Sequence, residues 1–416
     1  LDLLGADAGR PFQRVVQAEG RLRHEDRVAV KIVGDGEPVC GDELVELLRV
    51  LDGIRKVDCL KDAGGAEAVG SRGRQAAADA LDRVAEAAGF SVKMGSELEF
   101  FLSPDTYEQV AENHFRAPRT EGWYNLDYHI LQTSKDEPII RRIRNEMLGA
   151  NIPIEFSKGE AAPGQHEINL RYSDALEMAD NHTVYKNGVK EIAHLEGRSA
   201  TFMAKPYAAQ PGSSCHIHTS LWSTDGETPH SCGEAGDGMS ADMRAFVAGL
   251  QTHLADLTLL GAPNLNSYKR YQPESWAPTA TVWALDNRTA GLRLVGHGAG
   301  LRIESRIPGA DANPYLAFAG VIAAGLAGIE AGLDCGEPFN GNAYAANADD
   351  SDDGPTLTHV PWNLPDATIA FRDSDVANGA FGEDVMYHLV HGAEAEWKAF
   401  HQSVTDWEYR RGYERL

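Results

Sequence analysis

The chain has 416 residues and a mass of 45.1 kDa, which indicates one large domain or two. Its hydrophobic share of 43% and charged share of 24% are ordinary for a globular protein and exclude disordered, collagen-like and coiled-coil chains. The net charge of -24 argues against a basic face for a phosphate backbone, so no nucleic-acid partner is expected.

No segment indicates a membrane protein or a secreted one. The longest nearly apolar run, residues 315–329, is too short to span a bilayer, and no basic segment precedes an apolar one near Leu1. The five cysteines are odd in number and form no CxxC motif, which argues against structural zinc and a disulfide framework. A reducing, cytoplasmic location is therefore expected.

The pattern of apolar residues predicts a mixture of strands and helices. In chain order the expected elements are a strand over 27–33, a turn at 34–36, a helix over 43–51, a linker over 64–73, a helix over 75–88, strands over 92–94 and 98–102, a helix over 174–195, a helix opening at Asn313–Pro314, and an acidic loop over 349–354. Because no regular βαβ rhythm appears, the predicted fold class is α+β.

Several common nucleotide and nucleophile motifs are missing. The sequence contains no P-loop and no GxSxG motif, and the glycine-rich run at 296–300 lacks full dinucleotide spacing. Any nucleotide chemistry must therefore use other groups.

Two pairs of glutamates are candidate metal ligands. Glu97 and Glu99 lie two residues apart in a strand-like run, so both carboxylates are expected on one face. Such a pair is costly in an apolar strand unless a cation neutralises it. Glu160 and Glu167 flank a Pro-Gly turn that can bring them to one site. Taken singly, the first pair is equally compatible with a solvent-facing strand, and the second pair is more typical of a surface turn.

Two further segments alternate polar and apolar residues. His216 and His218 share one face of a strand, and Arg302, Glu304 and Arg306 share one face of another. Alone, each is more typical of a structural pair or a salt-bridged surface. Together the four segments supply an oxygen-dominated ligand set that favours Mg²⁺ or Mn²⁺. An arginine series accompanies it, which points to phosphoryl transfer from a nucleotide: Arg270, Arg288, Arg293, Arg302 and Arg306.

These segments resemble the glutamine synthetase superfamily. They are GSELEFFL, GEAAPGQHEINLRY, GSSCHIHTSLW, NSYKR, DNRTAGLR and LRIESRIPGADANPYLAFAG, in the family's order over residues 95–320. The resemblance implies an ATP-dependent ligase that phosphorylates the γ-carboxylate of glutamate and lets a nitrogen nucleophile displace the phosphate. It also implies a large catalytic domain with a curved antiparallel sheet and flanking helices.

Residue by residue, the resemblance implies two metal sites. Glu99, Glu160 and Glu167 match the ligands of the first metal ion, and Glu97, His216 and Glu304 match those of the second. His218 and Ser220 match nucleotide contacts, while Arg293 and Arg302 match phosphate contacts. Positions that hold glutamate or the transferring phosphoryl group are matched by Gly212, Arg270, Arg288 and Arg306, of which the three arginines are the expected catalytic residues.

One departure from the family concerns the acceptor. Ammonia-using members carry a glutamate in the flap six residues after the arginine of NSYKR, and here Trp276 stands there, with Glu274 two residues earlier. An indole face is a better partner for an organic amine than the carboxylate that binds ammonium in those members. The flap and the run APTATVWALDNRT resemble the branch that joins glutamate to polyamines, monoamines or ethanolamine.

The N-terminal part departs from the family as well. Residues 1–90 are expected to form a divergent or shortened β-grasp-like domain, and residues 91–416 the catalytic domain. The family's lysine before the LRIESR strand has no counterpart, because Ala299 and Gly300 lie there. The resemblance further implies a homo-oligomeric, dodecamer-type ring with active sites between subunits.

The main hypothesis is therefore a glutamate–amine ligase that uses ATP and Mg²⁺ or Mn²⁺. The alternatives are a true glutamine synthetase that uses ammonia, a structural or regulatory homologue without turnover, and a generic metal-dependent kinase. The complete set of metal ligands and arginines argues against lost turnover, and the missing kinase motifs argue against the last alternative.

Overall fold

The computed structural model describes residues 89–416 except 117, 126, 235, 273 and 346–356, together with 15–17, 31–33, 74, 75 and 79. Near the N-terminus, strand β1 (Val15–Gln17) pairs antiparallel with β2 (Lys31–Val33), which is the end of the strand predicted over 27–33. The predicted turn at 34–36, the helix over 43–51, the linker, most of the helix over 75–88 and the acidic loop lie outside the described residues. The β-grasp-like domain and the boundary at residue 90 stay predictions.

A nine-stranded sheet organises the described chain, in the order β4-β5-β3-β8-β11-β10-β9, with β6 and β7 also paired to β3. Its strands are β3 (Phe90–Ser103), β4 (Ile154–Gly159), β5 (Gln165–Leu170), β6 (Ser173–Asp174), β7 (Ser199–Thr201), β8 (Cys215–Ser223), β9 (Trp283–Leu285), β10 (Leu292–Val295) and β11 (Arg302–Ser305). The prediction of an antiparallel sheet is correct except at one edge, where β9 and β10 run parallel.

Strand β3 is continuous where the sequence predicts two separate runs. Gly95, Ser96 and Glu97 are weak strand formers, which is why the sequence pattern favours a break there. In the structure this stretch pairs with β8 on one side, and β5 joins on the other side from Glu97 onward. Pairing on both sides outweighs local propensity, and the unbroken strand holds Glu97 and Glu99 in one register.

The helices lie around this sheet. They are α1 (Tyr107–Glu112), α2 (Ile130–Gly149), α3 (Ala175–Leu195), α4 (Ala241–His253), α5 (Thr258–Gly261), α6 (Pro314–Glu330), α7 (Leu364–Arg372), α8 (Asp375–His401) and α9 (Asp406–Gly412). Helix α3 confirms the prediction over 174–195, and α6 opens as predicted, because the Asn313 side chain accepts from the backbone N–H of Tyr315. None of the described helices is long and apolar enough to cross a membrane.

The two faces of the sheet differ in chemistry. Along β3 the even-numbered side chains, such as Met94, Leu98 and Phe100, are buried in the hydrophobic core that α3 covers. On that face Ser96 hydrogen-bonds His182 of α3 at 2.7 Å. The odd-numbered side chains therefore point to the opposite face, which carries the predicted site.

Candidate active site

Three carboxylates form the first acidic cluster. Oxygens of Glu99, Glu160 and Glu167 all lie within 4.8 Å of one another. Glu99 stands opposite Glu167 in the pairing of β3 with β5, and Glu160 follows the end of β4. The backbone N–H of Ser214 donates to Glu99 at 2.8 Å. The structure thus brings together the residues predicted for the first metal ion, at the chelating distance that a divalent cation requires.

The charges of this cluster are unbalanced without a cation. Burial and the neighbouring Glu160 raise the pKa of Glu99 to about 8, and burial with Glu97 and Glu160 raises the pKa of Glu167 to about 10. Lys158 forms an ion pair with Glu160, which outweighs burial and raises the pKa of the lysine. One ammonium cannot balance three carboxylates, so the donor set fits a divalent cation.

The raised pKa of Glu99 gives a pH-dependent prediction. Between its ordinary value of 4.5 and about 8, the folded protein keeps a proton that the unfolded chain releases. The stability of the metal-free protein should therefore fall as pH rises through that window, and bound Mg²⁺ should stabilise most at the upper end. We expect the Mg²⁺-induced rise in Tm, measured against EDTA, to be larger at pH 8 than at pH 6. A rise independent of pH would contradict the assignment, and Glu99→Gln should reduce the pH dependence.

A second acidic cluster lies beside the first. Glu97, His218 and Glu304 offer ligand atoms within 4.8 Å of one another. His216 Nδ1 faces the same group, at 2.7 Å from Glu97 Oε1 and 3.4 Å from Glu304 Oε1. Burial alone would raise the pKa of Glu97, but His216 and His218 hold it well below its ordinary value.

This second cluster also fits a divalent cation. The predicted ligands Glu97, His216 and Glu304 lie together, and His218, predicted as a nucleotide contact, lies close enough to offer a ligand as well. Within the described residues, His216 Nε2 is buried without a hydrogen-bond partner. His216 Nδ1 makes its contacts with carboxylates that a cation would share.

A cavity of about 250 Å³ opens next to the second cluster. Glu97 and His218 of that cluster are among its lining residues. Its walls include Lys93, Tyr172, Ser220, Trp222, Ala299, Gly300 and Arg302. The rings of Tyr172 and Trp222 stack at 6.2 Å, and the Arg302 Nε–H donates to His218 Nδ1 at 3.2 Å. Three of the four predicted nucleotide contacts therefore line one cavity, and Ala299 and Gly300, where the family lysine is missing, form part of its wall.

The predicted arginines differ in their surroundings. Arg293 and Arg306 both bind the Glu304 carboxylate, Arg293 at 2.9 Å, so Glu304 lies between two guanidinium groups. Arg270 is buried and donates to the backbone carbonyls of Arg306 and Ile307 at 2.9 and 2.8 Å. Arg288 is exposed in the turn between β9 and β10. Arg270 therefore positions the Arg306 segment, whereas Arg288 is free of the core.

The predicted substrate glycine and the flap connect to the first cluster. A Cβ at Gly212 would lie 2.5 Å from Arg270 Cγ, so the segments that carry Gly212 and Arg270 pack too closely for a larger residue at position 212. The Gln165 amide donates both to Gly212 O and to Glu99 Oε2, at 3.0 and 3.1 Å. In the flap, Ser275 Oγ donates to Arg270 O at 2.9 Å. The flap, Gly212 and Glu99 thus form one connected region.

Trp276 presents its ring to solvent. Its side chain is 57% exposed, and both Trp276 and Glu274 have left-handed backbones, with φ of 62° and 58°. Such φ values are uncommon for residues other than glycine and concentrate at ligand-binding loops. Trp276 therefore lies outside the hydrophobic core.

Comparison with known proteins places this site in a family. Residues 71–412 match the family described as glutamine synthetase, catalytic domain. The chain belongs to the glutamine synthetase family. Its members typically use ATP and divalent metal ions. The matched region extends beyond residues 95–320, the span of the motifs.

Two relatives of this glutamine synthetase family member have names that describe the ligation of an amine to glutamate. A gamma-glutamylethanolamide synthetase of Streptomyces coelicolor is 49% identical over 79% of this chain and 68% of its own length. A glutamate–isopropylamine ligase of Pseudomonas is 36% identical over 79% of this chain and 70% of its own. The solved GmaS/ADP complex superposes with a TM-score of 0.73 at 31% identity, covering 82% of this chain and 77% of that one.

Sequence reasoning missed several residues of the site. Gln165 and Asn169 share the face of Glu167 on β5, and Asn169 donates to Glu167 at 2.7 Å. Period-two alternation along QHEIN carried the signal for both. Tyr172 and Trp222 had no such signal, because their stacking joins two segments that are distant in sequence. Lys158 was missed because an isolated lysine near a turn is typical of a surface residue.

Proposed function

We propose that the protein ligates an organic amine to the γ-carboxylate of L-glutamate, with ATP as co-substrate and γ-glutamyl phosphate as intermediate. The observation that carries this proposal is the pair of acidic clusters on one sheet face, one of which lines a cavity of about 250 Å³. The family assignment and the names of the amine-ligating relatives support it.

Two divalent cations, Mg²⁺ or Mn²⁺, would be held by the two clusters and would supply charge neutralisation for the transferring phosphoryl group. Glu99, Glu160 and Glu167 hold the first in this proposal. Glu97, His216 and Glu304 hold the second. Oxygen-rich ligand sets favour these cations over zinc.

The protein's own residues bind and orient the reactants. His218, Ser220, Arg293 and Arg302 are proposed to hold the nucleotide, since three of them line the cavity and Arg293 bonds Glu304 beside it. Gly212 is proposed to contact glutamate through its backbone. Three arginines complete the catalytic set.

Those arginines act differently in the proposal. Arg306 compensates the negative charge that develops on the phosphoryl oxygens, because its guanidinium lies beside the second cluster. Arg288, exposed in the turn between β9 and β10, is proposed to bind the same group. Arg270 keeps the backbone of Arg306 in place.

The acceptor is proposed to be a primary amine, with ammonia as the alternative. The test is an acceptor screen with purified protein, ATP, Mg²⁺ and glutamate, in which phosphate release and the γ-glutamyl product are measured for ethanolamine, alkylamines, putrescine, spermine and ammonium. Turnover with an amine above that with ammonium is expected. A preference for ammonium over every amine would leave glutamine synthetase as the function, and no turnover would favour a non-catalytic homologue.

Trp276→Glu is expected to shift preference towards ammonium. A carboxylate can bind ammonium and accept its proton, whereas indole offers only a face worth about 0.5–1 kcal/mol to an exposed cation. Each CH₂ of an alkylamine that packs on Trp276 adds about 0.8 kcal/mol. Measuring kcat/KM for ammonium and butylamine should show their ratio rising about tenfold or more in Trp276→Glu, and little in Trp276→Phe. An unchanged ratio would contradict the role of Trp276, and Glu274→Gln tests whether Glu274 binds ammonium instead.

We further propose a homo-oligomeric, dodecamer-type ring in the cytoplasm. Exposed aromatic side chains on the terminal helix α9, including Trp407 and Tyr409, support burial against another copy. The need for ATP and the free thiols of Cys215 and Cys335 support a reducing compartment. Light scattering coupled to size exclusion tests the assembly, and an active monomer would contradict it.

A further inference from the structure

Lys158 lies in a row of charged residues that crosses three strands. It stands opposite Glu167 in the pairing of β4 with β5, and Glu167 stands opposite Glu99 in the pairing of β5 with β3. Residues opposite each other in antiparallel strands project to the same face, with their Cβ atoms about 5 Å apart. Lys158 is therefore built into the same sheet face as the first acidic cluster.

The ammonium group of Lys158 is held at the rim of that cluster. It forms an ion pair with Glu160, and Glu167 and Asp127 also attract it. The Lys158 side chain is 41% exposed, against 13% for Glu160. The Lys158 ammonium is thus the more solvent-exposed partner of this ion pair.

The flap is connected to the first cluster rather than the second. The cavity proposed for the nucleotide is lined by Glu97 of the second cluster and also by residues of β4 and β5. The flap and Gly212 connect instead to Glu99 of the first cluster, through Arg270 and Gln165. An acceptor admitted at the flap therefore approaches the cluster whose Glu160 pairs with Lys158.

We propose that Lys158 is a specificity-determining residue that selects the acceptor by its charge. Its fixed positive charge at the mouth of the first cluster repels an amine that carries a second ammonium group. The acceptor class it admits is a monoamine with a neutral remainder, such as an alkylamine or an amino alcohol, and not a diamine or polyamine. This inference rests on the proposed amine-ligase function and names its substrate class.

The physical basis is the distance over which a charge acts. The two ammonium groups of a four-carbon diamine lie within about one Debye length of each other at ordinary ionic strength. The repulsion by Lys158 is therefore not fully screened at the second ammonium group. At the effective dielectric constant of a protein surface, two like charges a few ångströms apart alter binding by roughly ten- to a hundredfold. An uncharged chain end experiences no such repulsion.

The test compares butylamine with putrescine, which have the same carbon chain and differ by one amino group. The ratio of their kcat/KM values is measured in the wild type, in Lys158→Met and in Lys158→Arg, with the full chain. We expect the wild type to prefer butylamine, Lys158→Met to reduce that preference roughly ten- to a hundredfold, and Lys158→Arg to keep it. Binding of Mn²⁺ without substrates, followed by electron paramagnetic resonance, should tighten in Lys158→Met, because a competing cation is removed.

The outcomes separate the two proposals. An unchanged ratio in Lys158→Met, with amine turnover intact, overturns the role of Lys158 alone. A loss of selectivity in Lys158→Arg equal to that in Lys158→Met overturns it too, since the charge is kept. Turnover with ammonium but with neither amine overturns the amine-ligase function and this inference with it. Because Lys158 is half-exposed, both variants should fold, and Lys158→Gln provides a second neutral replacement.

Discussion

Replacing Glu99 or Glu160 by alanine is expected to lower kcat by more than about a thousandfold. Each replacement removes one of the three carboxylates that lie within 4.8 Å of one another. Charge neutralisation by a bound cation is worth several kcal/mol in the transition state, and about 4 kcal/mol corresponds to a thousandfold in rate. The measurement is steady-state phosphate release at saturating ATP, glutamate and amine, over a range of Mg²⁺ concentrations.

A folding defect can be told apart from a lost metal site. Metal-free Glu99→Ala leaves the Ser214 N–H without its acceptor, so its Tm should fall moderately below that of the metal-free wild type. Its Tm should no longer rise strongly with Mg²⁺. Glu112→Ala, at an exposed position of α1, is the matched control and should behave as the wild type. Near wild-type rates with unchanged Mg²⁺ dependence in both site variants would show that these residues are not the ligands.

The chemistry of the site is more predictable from sequence than its geometry. Carboxylates two apart on a strand must share a face, so the spacing of Glu97 and Glu99 is enough to place both on one face. That the Pro-Gly turn brings Glu160 beside them follows from the pairing of β4 with β5, which the local sequence does not encode. The resemblance to a family supplies this long-range information.

Elements that depend on distant contacts are the ones that local sequence patterns do not predict. The parallel pairing of β9 with β10 joins short strands with no pattern of their own. The buried position of Arg270 depends on two backbone carbonyls more than thirty residues away. A buried arginine has the same local signature as an exposed one, because burial is decided by what packs on it. Only the tertiary structure therefore distinguishes Arg270, which holds the Arg306 backbone, from the arginines that lie beside the clusters.

Two features of this chain affect charge on the proposed acceptor side. Trp276 stands at the flap position where ammonia-using members carry a glutamate, and Lys158 places a cationic group beside Glu160. Both features make the region less attractive to a small cation. A neutral or singly charged amine with an apolar or hydroxylated chain loses least from them, which agrees with the relatives that are named for ethanolamide and isopropylamine products.

Arg306→Lys is expected to lower kcat by about a hundred- to a thousandfold while keeping the positive charge. The Arg306 guanidinium is buried and binds Glu304, and within the described residues its Nε–H is buried without a partner. A planar fork can hold Glu304 and still donate to a phosphoryl oxygen, whereas a lysine ammonium is a single compact charge on a flexible stem.

Stability and catalysis should respond differently in this variant. The backbone of Arg306 is fixed independently, by its N–H bond to Gly291 O at 2.9 Å and by Arg270, so the strand should stay in place. Loss of a charge-assisted hydrogen bond should cost about 1–3 kcal/mol of folding free energy, which a moderate fall in Tm would report. The exposed Arg116→Lys is the control for the arginine-to-lysine change. A kcat within threefold of the wild type would show that charge alone suffices at position 306, and the fork geometry would then have no part in phosphoryl transfer.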